Sequence, residues 1–363
     1  MDVSSAGYPS PATSIHGIAA NEMTTYVGLI GSGNITETHA RAARNIRGVE
    51  IAAIHGTNKE KVERLCREYG GTGYANFEEF LNHRPLSMVA IGSPSGLHAE
   101  QGIAAARRGL HVLTEKPIDV TTEKVDVLIA EAKKAGVKLG VFFQDRCKPD
   151  IIRVKKALNS GVLGRPILAD ARVKWYRPTE YYANSRWRGT QALDGGGALM
   201  NQGIHTADLL LWMYGDVVSV QASCKTALHK IEVEDTLVAL LEFANGAMGV
   251  LQASTSTYPG YPRRLELTGS EGTVIIEQDR LLAADLRGAS AESLQRTEAD
   301  KNPSAFSPVV SDVRGHQAVL EDFIRAVETN SKPQCDGIEG RRSVALVEAI
   351  YAACKSGKKV PCG

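Results

Sequence analysis

Three stretches of this chain set reactive groups or backbone donors at chemically meaningful spacing. Gly31-Ser32-Gly33-Asn34-Ile35-Thr36 follows a short apolar run, Tyr26 to Ile30, and opens a helical pattern carrying His39 and Arg41. Glycines at the first two positions allow a tight turn and bring backbone N–H groups up to a pyrophosphate, with the positive end of the helix dipole behind them. Thr36 stands where a third glycine would complete the fingerprint. In its strand–turn–helix context the loop, including Asn34 and Ile35, reads as a dinucleotide site. A glycine-rich turn in an unrelated α/β fold is the alternative.

The next apolar run ends in His55-Gly56-Thr57-Asn58-Lys59. Gly56 takes the place where an NAD site carries a carboxylate for the ribose 2′-hydroxyl. Thr57, Asn58 and Lys59 are donors that suit a 2′-phosphate, so NADP is favoured over NAD. Lys59 fits equally a solvated lysine in a first helical turn.

Lys116 stands in Thr114-Glu115-Lys116-Pro117, after the apolar run Leu110 to Leu113. Burial and nearby positive charge bring a lysine's pKa toward neutrality, where it can take the proton of a hydroxyl whose hydride leaves to a nicotinamide. Pro117 biases the lysine backbone toward extended geometry and so aims the side chain. On the residues alone, an ordinary surface lysine fits as well. Asn201 and His205 are spaced i, i+4 on an expected helix from Gly197 to Tyr214 and share a face. The amide can orient a hydroxyl but exchanges no proton at neutral pH. His205 can, unless it is a satisfied core histidine. Asp208 reads either as the group orienting that imidazole or as a solvated helix acid, and Asp194 as a turn former.

Trp175-Tyr176-Arg177, Tyr181-Tyr182 and Trp187-Arg188 form the densest aromatic–basic cluster. Flat walls and forked donors suit a ring with several hydroxyls, with Tyr182 and Arg188 as the expected contacts. Sheet-surface aromatics at a subunit interface is the competing reading, left open for Trp175 and Tyr261.

These residues need elements to hold them. Val49 to Ile54, Leu86 to Ile91, Leu110 to Leu113 and Leu139 to Phe143 repeat the short apolar run, as strands buried on both faces must. Lys59 to Tyr69, Leu97 to Arg107 and Glu123 to Ala135 alternate with them as amphipathic helices, the last stopped by Gly136. This predicts a doubly wound parallel sheet over residues 23–147. Beyond about residue 150 the runs lengthen and follow one another without helices: Ile167 to Trp175, Val217 to Thr226, Thr236 to Phe243, Met248 to Thr255 and Arg264 to Ile276. Residues 148–363 therefore read as an α+β domain with a large open, mostly antiparallel sheet. Two closing helices, Val313 to Thr329 and Arg341 to Ser356, are placed to pack back on the first domain. Residues 1–22, rich in Ser, Ala, Pro and Gly, read as a disordered extension or tag.

The 363 residues carry 42 Lys+Arg against 41 Asp+Glu, a net charge of +1, which leaves no electrostatic footprint for nucleic acid or a membrane surface. No run reaches the roughly 18 to 20 apolar residues of a membrane span. The six cysteines are scattered without a C-x-x-C pair. They suggest neither a disulfide framework nor a zinc site, no metal is expected, and the cytoplasm is the expected compartment.

The Gly31 loop, Ser93-Pro94-Ser95-Gly96-Leu97-His98, Thr114-Glu115-Lys116-Pro117 and Gly195-Gly196-Gly197-Ala198-Leu199-Met200-Asn201-Gln202-Gly203-Ile204-His205 occur in that order. The chain thereby resembles the glucose–fructose oxidoreductase / inositol dehydrogenase / rhizopine-catabolism (Gfo/Idh/MocA) family over nearly everything beyond Met23. The resemblance implies an NAD(P)-dependent oxidoreductase acting on a sugar, cyclitol or related polyol, with Lys116 beside the nicotinamide and the reacting carbinol. It implies that Ser93, Pro94, His98 and Glu115 line the cofactor pocket and that Gln144 lies near the nicotinamide ribose. Family members commonly carry Asp where Asn201 stands. This chain departs from that acid–histidine pair, leaving Lys116 as acid/base with His205 binding the hydroxyl or sharing its proton. Relatives pair subunits across the open sheet, which implies a homodimer or homotetramer. Two other functions remain open: an NAD-dependent glycosidase of the same family, and a non-catalytic dinucleotide sensor.

Overall fold

The computed structural model describes residues 24–288, 294 and 312–363; the extension expected over residues 1–22 lies outside them. The first sheet contains β1 (Thr25–Ile30), β2 (Val49–His55), β3 (Thr72–Tyr74), β4 (Met88–Ile91), β5 (His111–Thr114) and β6 (Leu139–Val141). Its order is β3-β2-β1-β4-β5-β6 and every pairing is parallel. All four residues of β4 are buried, as are the last four of β1, because helices cover both faces. Those helices are α1 (Asn34–Arg44), α2 (Lys59–Tyr69), the short α3 (Phe77–Leu81), α4 (His98–Ala106) and α5 (Thr122–Ala135). Gly136 ends α5 in the left-handed conformation, as its position after the last apolar residue predicts. β3 and α3 have no counterpart in the sequence pattern. β3 is a three-residue edge strand after Gly70-Gly71, too short and too exposed to show a period.

After α6 (Pro149–Asn159) comes β7 (Pro166–Lys174), then the short α7 (Thr179–Ala183). The expected helix from Gly197 to Tyr214 is two pieces: a π-helical segment, Ala198–Gly203, and α8 (Ile204–Tyr214). The long run from Arg264 to Ile276 is likewise a hairpin. The remaining strands are β8 (Val217–Lys225), β9 (Thr236–Phe243), β10 (Met248–Ser254), β11 (Arg264–Gly269), β12 (Gly272–Glu277) and β13 (Arg280–Leu286). Helices α9 (Arg314–Glu328) and α10 (Gly337–Ser356) precede a final two-residue strand, β14 (Val360–Pro361). The second sheet runs β13-β12-β11-β7-β10-β9-β8-β14, antiparallel except for the β7–β10 pair. In β9 buried and exposed residues alternate strictly, so one face packs inward and the other lies bare.

Two connections lock the halves together. Helix α9 packs against α1, and α10 lies against α5, α8 and β8. An isolated bridge between Gly140 and Asp336 ties the edge of the first sheet to the start of α10.

Candidate active site

A cavity of about 780 Å³ runs from the glycine loop, along the carboxyl ends of β1, β4 and β5, to the aromatic–basic cluster beyond β7. Its first half sits at the point where strand order reverses, the place where open parallel sheets bind ligands. Gly31 has φ +119°, and a Cβ there would lie 2.7 Å from the Gly92 carbonyl oxygen, so only glycine fits the turn. A Cβ on Gly33 would meet nothing within 4 Å; that open side faces the cavity at the uncapped start of α1. Ser32, Asn34 and Ile35 complete the wall. Thr36, in place of the third glycine, is fully buried beneath the loop.

The three donors read from the sequence at the ribose end part company. Thr57 lines the cavity. The Asn58 side chain instead accepts from the Lys61 N–H as the cap of α2. The Lys59 side chain is 83% exposed and 3.9 Å from Glu63. Lys61, one helical position the sequence reading passed over, lines the cavity with Ser32, His55 and Gly56. Ser93, Pro94 and His98 also line it. His98 is fully buried, its ring nitrogens 2.8 Å from the Pro117 carbonyl and 2.9 Å from that of Ser93, so it clamps two cavity loops together.

At the centre, the ammonium of the half-buried Lys116 donates to the backbone carbonyl of Asn201 across the cavity (3.0 Å). Burial lowers its pKa; the carboxylates of Glu115, Asp194 and Asp145 oppose that shift, and Arg188 adds to it. Glu115 points the other way. Its Oε1 lies 3.0 Å from His39 Nε2 on α1 and 3.2 Å from His316 Nε2 on α9, while Oε2 accepts from the Lys116 N–H. Burial pushes Glu115 up, yet the two histidines hold it well below the usual carboxylate range. The three ligand-type atoms lie within 4.8 Å of one another, a spacing that a metal ion could bridge. Here they join three distant segments directly beneath Lys116.

The structure redistributes the roles expected around His205. Asn201 lies in the π-helical segment and lines the cavity with His205, but its side chain is engaged elsewhere: Nδ2 donates to Asp194 (2.5 Å) and Oδ1 accepts from Gln202 (2.8 Å). Asp194 does close a turn, accepting from the Gly189 N–H, but it is also a buried acid, and burial raises its pKa to about 6. Asp208 is neither a solvated acid nor the partner of His205. It forms a buried two-pronged ion pair with Arg146, at 2.8 and 2.6 Å, and accepts from Ser343. The carboxylate beside His205 is Asp145, whose Oδ2 lies 3.2 Å from Nδ1, at ion-pair distance but off the hydrogen-bond direction. Burial raises Asp145, but Arg263, Lys148 and His205 hold it far below the usual range. Burial lowers His205, with Asp145 opposing and the charge of Lys116 assisting. Asp145 immediately follows Gln144, and nothing in its local pattern marks it. Its role depends on α8 lying opposite.

Glu234 explains the π-helical segment. Its carboxylate accepts from the Gly197 and Leu199 N–H groups and from the Tyr351 hydroxyl, satisfying donors that a helix start leaves free. A Cβ on Gly197 would lie 1.6 Å from the Glu234 carbonyl oxygen, which accounts for the last of the three glycines.

At the far end, Trp175, Arg177, Tyr181, Trp187 and Arg188 line the cavity. Tyr182, the expected contact, is buried behind Tyr181, its hydroxyl 2.9 Å from that of Thr255. Tyr261 is exposed and outside the lining. Gln144 lines the cavity between the two halves, and its buried Oε1 has no protein partner. That orphan acceptor, the bare Gly33 backbone and the uncapped α1 are groups that a dinucleotide would satisfy, residues 31–35 holding its pyrophosphate.

A parallel sheet with a glycine loop at its switch point and a half-buried lysine after its fifth strand is the frame of a dinucleotide-dependent oxidoreductase, and the relatives bear this out. Residues 25–143 match the oxidoreductase family with an NAD-binding Rossmann fold, and residues 151–275 match the GFO/IDH/MocA C-terminal domain. The chain belongs to the Gfo/Idh/MocA family. It is 27% identical to the 1,5-anhydro-D-fructose reductase of Ensifer adhaerens, over 91% of this chain and 96% of that protein. It is 26% identical to the myo-inositol 2-dehydrogenase of Thermotoga maritima, over 91% and 95%. Among solved structures, the WlbA dehydrogenase of Bordetella pertussis, in complex with NADH and UDP-GlcNAcA, superposes with a TM-score of 0.84. It shares 32% identity over 94% of this chain and 98% of that one. Among the described residues, no helix is long and apolar enough to cross a membrane.

Proposed function

We propose that this oxidoreductase interconverts a carbinol and a carbonyl on a sugar or related polyol, with Lys116 as acid/base and His205 beside it. The observation that carries the reading is the position of Lys116: half-buried, on the cavity wall, its ammonium held by the Asn201 carbonyl where the two halves of the cavity meet. The names of the relatives, reductase and dehydrogenases of sugars and inositol, support the substrate class.

When bound, the nicotinamide accepts or returns the hydride. The protein's share is to hold the hydroxyl and move its proton. The lowered pKa of Lys116 puts more of it in the neutral form that accepts a proton, and the Asn201 carbonyl keeps Nζ in one place in either state. His205, backed by Asp145, supplies a second polar contact for the reacting oxygen and can share the proton. At the ribose end the described residues of the lining offer Ser32, Thr57 and Lys61 and no carboxylate, which supports NADP over NAD.

The same reading pairs two copies through the bare face of the second sheet. Val238, Leu240 and Met248 are exposed there side by side, an apolar face that a second copy would cover. Purified protein assayed with NADP and NAD against hexoses, pentoses, anhydrosugars and inositols tests the activity through nicotinamide absorbance. Turnover that disappears in Lys116→Ala supports the reading. Cofactor binding with no turnover on any sugar or sugar derivative would overturn it.

A further inference from the structure

Resting on that redox reading, we propose that Arg177 and Arg188 form an oxyanion site at the far end of the cavity, so that the substrate is a sugar bearing a carboxylate or phosphate rather than a neutral polyol. Three arginines are buried among the described residues: Arg146, Arg177 and Arg263. Arg146 holds Asp208 and Glu339, and Arg263 holds Asp145 and Asp279. Arg177, only 7% exposed, has no carboxylate within ion-pair distance among the described residues. Its Nη2 donates to Gln202 (2.9 Å), and its buried Nε has no partner. A desolvated charge without a counter-charge is costly, and proteins keep one where a ligand supplies the missing partner.

Arg188 repeats the pattern from another segment. Its guanidinium lies 4.3 Å from the centre of the Tyr181 ring, and that of Arg177 lies 5.4 Å from the same centre. The Arg188 Nε is also buried without a partner. Tyr181 therefore holds two like-charged forks close together, an arrangement that repels itself until an anion enters. Burial lowers the Arg177 pKa; Tyr181 and Tyr182 oppose that shift, and Arg188 adds a smaller push in the same direction as burial.

The charge of the rest of the lining points the same way. Among the described residues the only carboxylate in the lining is Glu115, already held between His39 and His316 and so not free to neutralise the two arginines. The aromatic rings of Trp175, Tyr181 and Trp187 leave room for a flat apolar face beside the oxyanion. A paired guanidinium site matches the forked geometry of a carboxylate or phosphate, whereas hydroxyls alone would leave the buried Arg177 with only ring faces and Gln202 for its charge.

The test compares matched neutral and anionic probes on the cofactor-loaded enzyme: D-glucose, D-glucuronate, glucose 6-phosphate, UDP-glucose and UDP-glucuronate. Turnover is followed by nicotinamide absorbance and binding by calorimetry. Charge-assisted bonds to two arginines predict a preference for at least one anionic probe over its neutral match of roughly 10- to 100-fold in kcat/KM or affinity. That ratio falls toward one in Arg188→Gln and in Arg177→Gln, and Arg177→Lys recovers part of it. Which probe wins tells whether carboxylate or phosphate supplies the oxyanion. Equal use of neutral and anionic sugars overturns this proposal and leaves the dehydrogenase reading standing. An NADPH affinity that falls as far as the sugar affinity in both variants also overturns it, assigning the arginines to the dinucleotide's own phosphates. Anion binding without turnover, lost in the variants, upholds the oxyanion site and removes the redox reading. Neither binding nor turnover removes both.

Discussion

The two ends of the cavity are built from different materials. The dinucleotide end is mostly backbone: a left-handed Gly31, a bare Gly33 and the first turn of α1 present N–H groups that need no side-chain partner. The reacting end is side chains, and nearly every one is held by another drawn from a distant segment. Lys116 rests on Asn201, Glu115 on His39 and His316, His205 faces Asp145, and Asp145 is in turn held by Arg263. A backbone site tolerates change in side chains that merely surround it. A site of buried charges transmits any change through its counter-charges.

The largest expected effect falls on the side-chain end. Lys116→Ala should lower kcat/KM by about 10²- to 10⁴-fold, the usual worth of a positioned acid/base, while NAD(P)H binding, followed by fluorescence, persists. In the native enzyme the lowered lysine pKa makes alcohol oxidation rise with pH and level off below the ordinary lysine range.

Asp145→Asn and Asp208→Asn sharpen the contrast within that end. Breaking the buried Arg146–Asp208 pair should cost about 3 to 5 kcal/mol of stability, read by denaturant unfolding, with the pH profile of turnover unchanged in shape. Asp145→Asn should instead shift that profile, because removing the carboxylate lowers the pKa of His205 further. If Asp208→Asn moved the pH profile and Asp145→Asn did not, the assignment of the two acids would be reversed.

Asp194 and Glu234 should give the protein a pH-dependent stability. Burial raises both to about 6, above their values in an unfolded chain. A raised carboxylate contributes stability that is full below about pH 4 and lost as pH rises through 6. For Asp194 the difference amounts to about 3 kcal/mol. Thermal melts between pH 4 and 8 should show a decline that Asp194→Asn and Glu234→Gln flatten, and an equal slope in all three proteins would contradict the burial argument.

At the backbone end the effects are smaller and more local. Gly31→Ala places a Cβ against the Gly92 carbonyl in a backbone conformation that disfavours it, at about 1 to 3 kcal/mol. NADPH titration should show the corresponding loss. Smallest of all, Lys59→Ala should change neither cofactor's KM by more than about twofold, its ion pair being solvent-exposed. Lys61→Ala should weaken NADP more than NAD. Equal losses for both would remove the 2′-phosphate reading.

Much of the molecule could be read before any coordinates. Short apolar runs alternating with amphipathic stretches specify a parallel sheet wherever they occur, and β9 and α2 begin and end where their patterns do. Glycine spacing in the loop is legible for the same reason: the constraint acts between neighbours in the chain. Lys116, His205 and Gln144, which the family resemblance singles out, and Arg188, which the aromatic–basic cluster suggests, all line the cavity. What tertiary structure alone decided are the pairings. Asp145 rather than Asp208 faces His205, Lys61 rather than Lys59 turns inward, and Tyr181 rather than Tyr182 lines the wall. The split of the helix at Gly203 depends on Glu234, some thirty residues further on, reaching back to satisfy its N–H groups. Sequence by itself determined the elements, since they follow from periodicity and short-range backbone chemistry, while the reactive residues were singled out by motifs that resemble a known family. The counter-charge of each buried group was decided only by folding, because burial makes such partners necessary while packing chooses them from segments that may lie anywhere along the chain.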